Sequence, residues 1–217
     1  MTMIPRLSVD QALPAAVVLA GGRSTRMGGS DKSFALLGGR PLIAHTLDRL
    51  NSQVRMAAIS ANGDPSRFAA FGLPVLADTV AGFPGPLAGL LAGMEWARQA
   101  GMRRIVSVPT DSPFIPGDLV ARLLDANPPH STQPVLAASA GRRHPVVGLW
   151  PVELAKPLGD FLAAGKTYKV SVFADKHGAT AVDFAMIKLA DRSLDPFFNV
   201  NAPDDLSEAE TLLEELR

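Results

Sequence analysis

Along the chain, short continuous apolar runs alternate with stretches in which apolar residues recur every three to four positions. That alternation predicts strands buried on both faces and joined by helices. The fold class expected is α/β, a Rossmann-like arrangement in which a mostly parallel sheet carries helices on both faces. Residues 15–20 form the first such run, and it stops at Gly21-Gly22. After a glycine-rich, cationic loop reaching Gly39, a helix is expected from Pro41, with Leu42, Ile43, Thr46, Leu47 and Leu50 on one face. Further strands are predicted at 54–60, 75–76, 105–108, 135–138 and 146–150. Helices are predicted at 65–71, from the end of the 82–89 loop to about 100, at 151–164, at 168–174 and from Asp204 onwards. No repeat, low-complexity tract or linker interrupts this pattern. Residues 1–217 are therefore expected to form one domain, with 1–13 as a flexible lead-in.

Composition narrows the classes. A chain of 217 residues can bury a substantial core, roughly 70% of the surface that its unfolded form exposes. Lys plus Arg and Asp plus Glu are each 21, for a formal charge of zero. A non-specific nucleic-acid binder needs a basic excess to neutralise phosphates, so nucleic acid is not an expected partner. Any anion must be held by a local arrangement. The absence of cysteine excludes disulfides, thiolate metal sites and a cysteine nucleophile. No apolar run approaches the roughly 20 residues needed to cross a bilayer, and the stretch to Leu13 carries Asp10 and Gln11 and does not read as a signal peptide. A cytoplasmic protein with no membrane partner, acting as a monomer, is expected.

The densest chemical signal is LAGGRSTRMGGSDK, residues 19–32. It follows a buried strand, which places it at the carboxyl edge of a parallel sheet, where open α/β folds bind ligands. Glycines let backbone N–H groups close around an anion, and Arg26 and Lys32 can add charge-assisted bonds to phosphate oxygens. The spacing matches neither Gly-x-Gly-x-x-Gly nor a P-loop. Asp111 also follows a strand, so its carboxylate is expected over the same edge, where a hard oxygen ligand suits Mg²⁺ carried on a nucleoside triphosphate. Before Ser112-Pro113 it equally suits a cap or turn. Asn62 and Asp78 follow two short strands. An Asn amide both donates and accepts, and an Asp can accept from base N–H groups or a sugar hydroxyl; Asn62-Gly63 alone would also make a tight turn. The 82–89 loop opens a helix whose free N–H groups could meet an anion or a base edge.

In the second half, His144 follows Arg142-Arg143, a group of three potential cations that could meet an acidic acceptor. Asn199 and Asn201 stand at alternate positions, hence on one face if the segment is a strand, before a well-capped helix. His45 and His177 have no partner at metal-ligand spacing and read as structural or surface residues.

Taken together, these motifs resemble those of the bacterial molybdenum cofactor guanylyltransferases. The similarity runs through Leu-Ala-Gly-Gly and Arg-Met-Gly-Gly-x-Asp-Lys, Gly85-Pro86-Leu87-Ala88-Gly89, 111–116 (DSPFIP), His144-Pro145-Val146 with Leu149-Trp150, and Asn199-Val200-Asn201-x-Pro203-x-Asp205-Leu206. It spans about Val17 to Leu206 in the family's order. The first glycine motif is shared by many sugar-phosphate nucleotidyltransferases; the full set is more specific. The resemblance implies transfer of GMP from GTP to the phosphate of molybdenum-bound molybdopterin, with pyrophosphate released. It implies that Leu19, Ala20, Gly21, Lys32, Asn62 and Asp78 bind the nucleotide, that Asp111 holds Mg²⁺, and that Asn199 and Asn201 lie near the acceptor, with transient contacts to cofactor-biosynthesis or recipient proteins. The chain departs from the family pattern at 165–170, which lacks an expected Arg, and at Ala202, where Thr is usual. The competing readings are a cytidylyltransferase on the same cofactor, a sugar- or alcohol-phosphate nucleotidyltransferase, and a nucleotide-binding regulator. Arg26, Lys32 and Asp111 are the residues expected to do the chemistry.

Overall fold

The computed structural model describes residues 13–21, 31–79, 85–189 and 192–216. The expected lead-in, Arg26 and the first part of the 82–89 loop lie outside these residues. The first half comprises β1 (Ala15–Leu19), β2 (Leu36–Leu37), β3 (Arg40–Pro41), α1 (Leu42–Asn51), β4 (Met56–Ser60), β5 (Val75–Leu76), α2 (Pro86–Gln99) and β6 (Arg104–Pro109). The second comprises α3 (Leu119–Asp125), β7 (Val135–Ser139), β8 (Arg142–Pro151), α4 (Ala155–Ala163), α5 (Val170–Lys176), β9 (Thr180–Phe184), β10 (Ile187–Lys188), β11 (Ser193–Leu194) and α6 (Pro203–Glu215). Single 3₁₀ segments occupy Lys32–Phe34, Pro65–Phe71 and Val152–Leu154.

Seven strands form one sheet in the order β5-β4-β1-β6-β8-β7-β9. All pairings are parallel except those of β8, which runs antiparallel to both β6 and β7. The side chains of β1 separate by period two, as a strand requires. Ala16 and Val18 join a core with Ile43 and Leu50 of α1 and Leu119 to Leu124 of α3. Ala15, Val17 and Leu19 join the opposite core, with Leu87 to Met94 of α2, Leu158 of α4 and Phe173 of α5. Helices thus cover both faces, which is why β1 is apolar and buried along its whole length. A third cluster, Leu37, Leu42, Phe114, Val200, Ala209 and Leu212, fastens α6 beside the β2–β3 hairpin.

Several boundaries differ from the expectation, each for a local reason. The loop expected to reach Gly39 contains a 3₁₀ turn and the β2–β3 hairpin, whose turn uses Gly38 and Gly39 at φ 55° and 78°. Two successive left-handed residues are what a tight hairpin with strand-matched twist needs. Helix α3 was not expected, although Leu119, Val120, Leu123 and Leu124 follow helical spacing and all are buried. The helix expected over 151–164 opens with the Val152–Leu154 3₁₀ turn before α4. Strand β9 was missed because only Phe184 of its five residues is buried, leaving no apolar run.

Close approach of α2 to the sheet depends on two glycines. A Cβ on Gly93 would lie 2.8 Å from Val17 Cβ, and one on Gly89 would fall on Ser60 Oγ and 2.9 Å from Leu19 Cδ2. Leu19 and Ser60 end their strands at the carboxyl edge, so Gly89 sets how near the start of α2 comes to that edge.

Candidate active site

One register row organises the site. Leu19 pairs with Ser60 on one side and Pro109 on the other, and Ser60 pairs with Leu76. Gly21, Asn62, Asp78 and Asp111 each stand two residues beyond a member of that row. The ladder continues one step past the strands, with Ala20 N donating to Ser60 O at 2.8 Å, Ala61 N to Leu76 O at 3.0 Å and Thr110 N to Leu19 O at 3.3 Å. The four residues therefore leave the sheet side by side, over three inter-strand gaps or about 14 Å. That is the scale of a nucleoside triphosphate laid across the strand ends. The chain passes from β1 outwards to β4 and β5, then crosses to β6 on the other side of β1. Gly21 and Asp111 flank this switch of direction, the place where doubly wound sheets open a ligand crevice.

At the β6 end, Lys32 Nζ donates to Asp111 Oδ2 at 3.0 Å and to Asn201 Oδ1 at 2.8 Å. Both members of the Lys32–Asp111 pair are about four-fifths buried, with side-chain exposures of 20% and 18%. The second carboxylate oxygen, Asp111 Oδ1, is buried and meets no hydrogen-bond donor among the described residues. A buried acceptor without a partner costs about 1–3 kcal/mol, and a hard cation is the kind of group that would relieve it. Among the described residues no three His, Cys, Asp or Glu side chains gather to hold a metal. A cation here would thus take one protein carboxylate and complete its shell from substrate oxygens and water, the habit of Mg²⁺.

At the other end, Asn62 and Asp78 bind each other in both directions. Asn62 Nδ2 donates to Asp78 Oδ2 at 2.7 Å, and Asp78 N donates to Asn62 Oδ1 at 3.0 Å. Asn62 is thereby more than a turn former: its side chain fixes the Asp78 loop against its own.

The paired asparagines do not lie on a strand. Residues 195–202 form an irregular connection between β11 and α6, held to the site by Val200 N donating to Asp111 O at 2.9 Å. Even so, both side chains reach the loops of the site. Asn199 Oδ1 accepts from Ser112 Oγ at 2.6 Å, and Asn201 accepts from Lys32. The segment is anchored behind by Asp205, whose Oδ2 accepts from Asn201 N and Ala202 N at 2.7 and 2.9 Å. A Thr or Ser at 202 could answer with a side-chain bond to the first helical turn; Ala202 cannot.

His144 occupies the same sheet edge at the start of β8, but its ring turns inwards. Ser139 Oγ donates to Asp195 Oδ1 at 2.8 Å, so the 2.7 Å contact between Ser139 Oγ and His144 Nε2 requires the imidazole to donate. Burial holds the His144 pKa below the ordinary imidazole value, with Arg142 acting the same way and Asp195 opposing. Donating to Ser139 and tilted against the Phe197 ring at 4.7 Å between centroids, His144 braces the 195–201 segment. Of its cationic neighbours, Arg143 forms a two-pronged pair with Asp175 of α5, at 2.6 and 3.2 Å. Elsewhere, His45 Nε2 binds Leu37 O at 2.9 Å and His177 packs on Phe173, both away from the register row.

Ser112, Ser139 and Asp195 were not anticipated as site residues. Ser139 and Asp195 lie 56 positions apart, and no local spacing signals a contact of that range. Asp31 and Arg67, which meet in an ion pair at 2.7 Å, were equally unforeseen as partners.

Comparison with known proteins identifies the family. Residues 16–180 match the family model described as the MobA-like NTP transferase domain. A molybdenum cofactor guanylyltransferase from Mesorhizobium japonicum is 49% identical over 203 residues, covering 93% of this chain and 97% of the relative. One from Rhodopseudomonas palustris is 48% identical over 209 residues, covering 95% of each. Among solved structures, molybdopterin-guanine dinucleotide biosynthesis protein A from Archaeoglobus fulgidus superposes with a TM-score of 0.69 at 22% identity, covering 92% of this chain and 98% of that one.

Proposed function

The chain belongs to the molybdenum cofactor guanylyltransferases of the MobA-like NTP transferase family, and on that premise we propose how its residues divide the work of moving GMP from GTP to the phosphate of molybdenum-bound molybdopterin. The observation that carries the assignment is the register row. It sets a hydrogen-bonding pair, Asn62 and Asp78, at one end and a cation–carboxylate pair, Lys32 and Asp111, at the other. The guanine base belongs over Asn62 and Asp78, whose amide and carboxylate can meet its N–H groups and carbonyl. The triphosphate crosses Leu19, Ala20 and Gly21 towards Lys32 and Asp111.

In the transfer, an acceptor phosphate oxygen forms a bond to the α-phosphorus while the bond from that phosphorus to the β-phosphate bridging oxygen breaks. The electron pair leaves with pyrophosphate. A terminal phosphate is largely ionised at neutral pH, with a second pKa near 6, so no side chain has to remove a proton. The protein's task is alignment and charge compensation. Lys32 and Arg26 contribute cations to the leaving group. Asp111 is the residue that would hold Mg²⁺, which when bound supplies Lewis-acid polarisation of the phosphoryl oxygens. Asn199 and Asn201 border the acceptor side, and His144 holds their segment in place through Asp195 and Phe197. The chain acts as one nucleotidyltransferase domain and a monomer, in the cytoplasm where GTP is supplied. Among the described residues no helix is long and apolar enough to cross a membrane.

The base assignment is tested by pyrophosphate release from GTP, CTP, ATP and UTP, each at equal concentration with the same acceptor. GTP is expected to give the highest kcat/KM. Equal or better turnover with CTP would assign the pocket to cytosine and leave only the general reaction.

A further inference from the structure

The structure ties the two ends of the register row together through one side chain. Arg67 lies in the Pro65–Phe71 3₁₀ segment, which Asp64 caps by accepting from Ser66 N at 2.9 Å. Its guanidinium binds three separate points. Nε donates to Asp64 O at 3.1 Å, Nη2 to Asn62 O at 2.9 Å, and Nη1 to Asp31 Oδ2 at 2.7 Å. Gly63, at φ 87°, makes the left-handed turn between Asn62 and Asp64, the two residues whose carbonyls Arg67 binds. The other Asp31 oxygen accepts from Ser33 N at 3.0 Å and so caps the 3₁₀ turn that begins with Lys32. One carboxylate thus fixes the backbone that presents Lys32 and also receives Arg67. The same two segments meet a second time through their rings, Phe34 and Phe68, at 5.1 Å between centroids. The guanidinium itself lies 5.3 Å from the Phe68 centroid.

A lone ion pair this exposed, 38% for Arg67 and 23% for Asp31, contributes little to stability. Its geometry points elsewhere. A planar guanidinium holds its bonding directions rigidly with respect to one another. A shift of the Asn62 loop therefore moves the Asp31 carboxylate, and with it the turn that carries Lys32. We propose that Arg67 is a positioning residue that couples recognition of the base at Asn62 and Asp78 to the placement of Lys32 on the phosphates. On this proposal, which rests on the nucleotide orientation given above, base identity is read in part as catalytic rate. A correct base seats the Asn62 loop, and Arg67 and Asp31 pass that seating to Lys32. Arg67 touches neither substrate nor reacting atoms.

The test compares GTP with ITP, which lacks only the 2-amino group of guanine, in full-length wild type and in Arg67→Met. Methionine keeps an unbranched stem beside Phe68 and removes every donor. Steady-state pyrophosphate release with acceptor gives kcat and KM for each nucleotide, with thermal unfolding recorded in parallel. Arg67→Met is expected to lower kcat for GTP by about 10-fold, the scale of one imperfectly placed electrostatic group, with KM within about twofold. ITP should fall much less, so the GTP/ITP ratio of kcat/KM collapses towards one. Asp31→Asn, in which the amide oxygen can still cap Ser33 N, should give the same kcat-weighted loss and the same collapse. It decides the matter should Arg67→Met fail to fold. Equal losses with both nucleotides, a loss confined to KM, or an unchanged kcat would overturn the coupling and leave Arg67 a structural brace. Inactivity of the wild type with GTP would instead sink the functional reading itself, so the two failures are distinguishable.

Discussion

Asp111→Ala is expected to lower kcat/KM for GTP by about 10³-fold or more, because a catalytic metal supplies several kcal/mol of transition-state charge stabilisation. The fold should survive unharmed. The backbone carbonyl of residue 111, which accepts from Val200 N, is retained by alanine, as are the contacts of Ser112 with Asn199 and of Lys32 with Asn201. Two effects on stability oppose each other. Loss of the pair leaves the mostly buried Lys32 ammonium without its counter-charge, while removal of Oδ1, which meets no donor among the described residues, relieves a desolvation penalty of about 1–3 kcal/mol. The two largely offset, so the melting temperature should change little as activity disappears, as for a residue kept for function rather than stability. Unchanged kinetics at saturating Mg²⁺ would make Asp111 a turn residue. A large fall in melting temperature would make it a structural one.

Lys32→Ala should behave differently. It removes the cation that stands beside Asp111, and kcat/KM is expected to drop about 10²-fold or more, the scale of one lost electrostatic stabiliser. If the lysine acts chiefly as charge moves onto the leaving pyrophosphate, the loss falls in kcat, whereas ground-state binding alone would raise KM. Here stability should decrease, since alanine leaves a mostly buried carboxylate without its counter-charge. In a chain of this size each 1 kcal/mol lost corresponds to about 2–4 °C in Tm. The double variant with Asp111→Ala should be clearly less than additive in rate, because the two side chains are in contact and serve one phosphate chain. Strict additivity, or near-normal kinetics for Lys32→Ala alone, would separate Lys32 from Asp111 in function and remove it from the site.

How much of this was legible in the sequence follows from the range of each interaction. The first strand and its glycine stop could be read from the continuous apolar run 15–20 and Gly21-Gly22. Asn62, Asp78 and Asp111 were legible as positions because each ends an apolar run, and the parallel register then sets them in line without further information. The mutual bonds of Asn62 and Asp78 were not, since a residue type at a strand end does not reveal what it faces. The three-cation reading of Arg142, Arg143 and His144 missed Asp175 and Asp195, contributed by a distant helix and connection. Paired with Asp175, Arg143 anchors α5, and His144, linked to Asp195 through Ser139, braces the connection before α6. Helix α3 shows the reverse case: its i, i+1, i+4, i+5 leucine and valine pattern is present in the sequence, but only seven residues long. Arg67 shows the limit most clearly. A single arginine in the 65–71 segment has no distinguishing spacing, and the contact that gives it a role, with Asp31, spans 36 positions of the chain.

The most direct measurement follows the α-phosphate. GTP carrying a radiolabel at that position, incubated with the chain, Mg²⁺ and molybdenum-bound molybdopterin, should deliver its label to a guanine dinucleotide product. One pyrophosphate should appear per dinucleotide formed. Asp111→Ala should leave the label in GTP. Label recovered in GDP or in free GMP, or pyrophosphate released without labelled dinucleotide, would contradict guanylyl transfer as the reaction of this site.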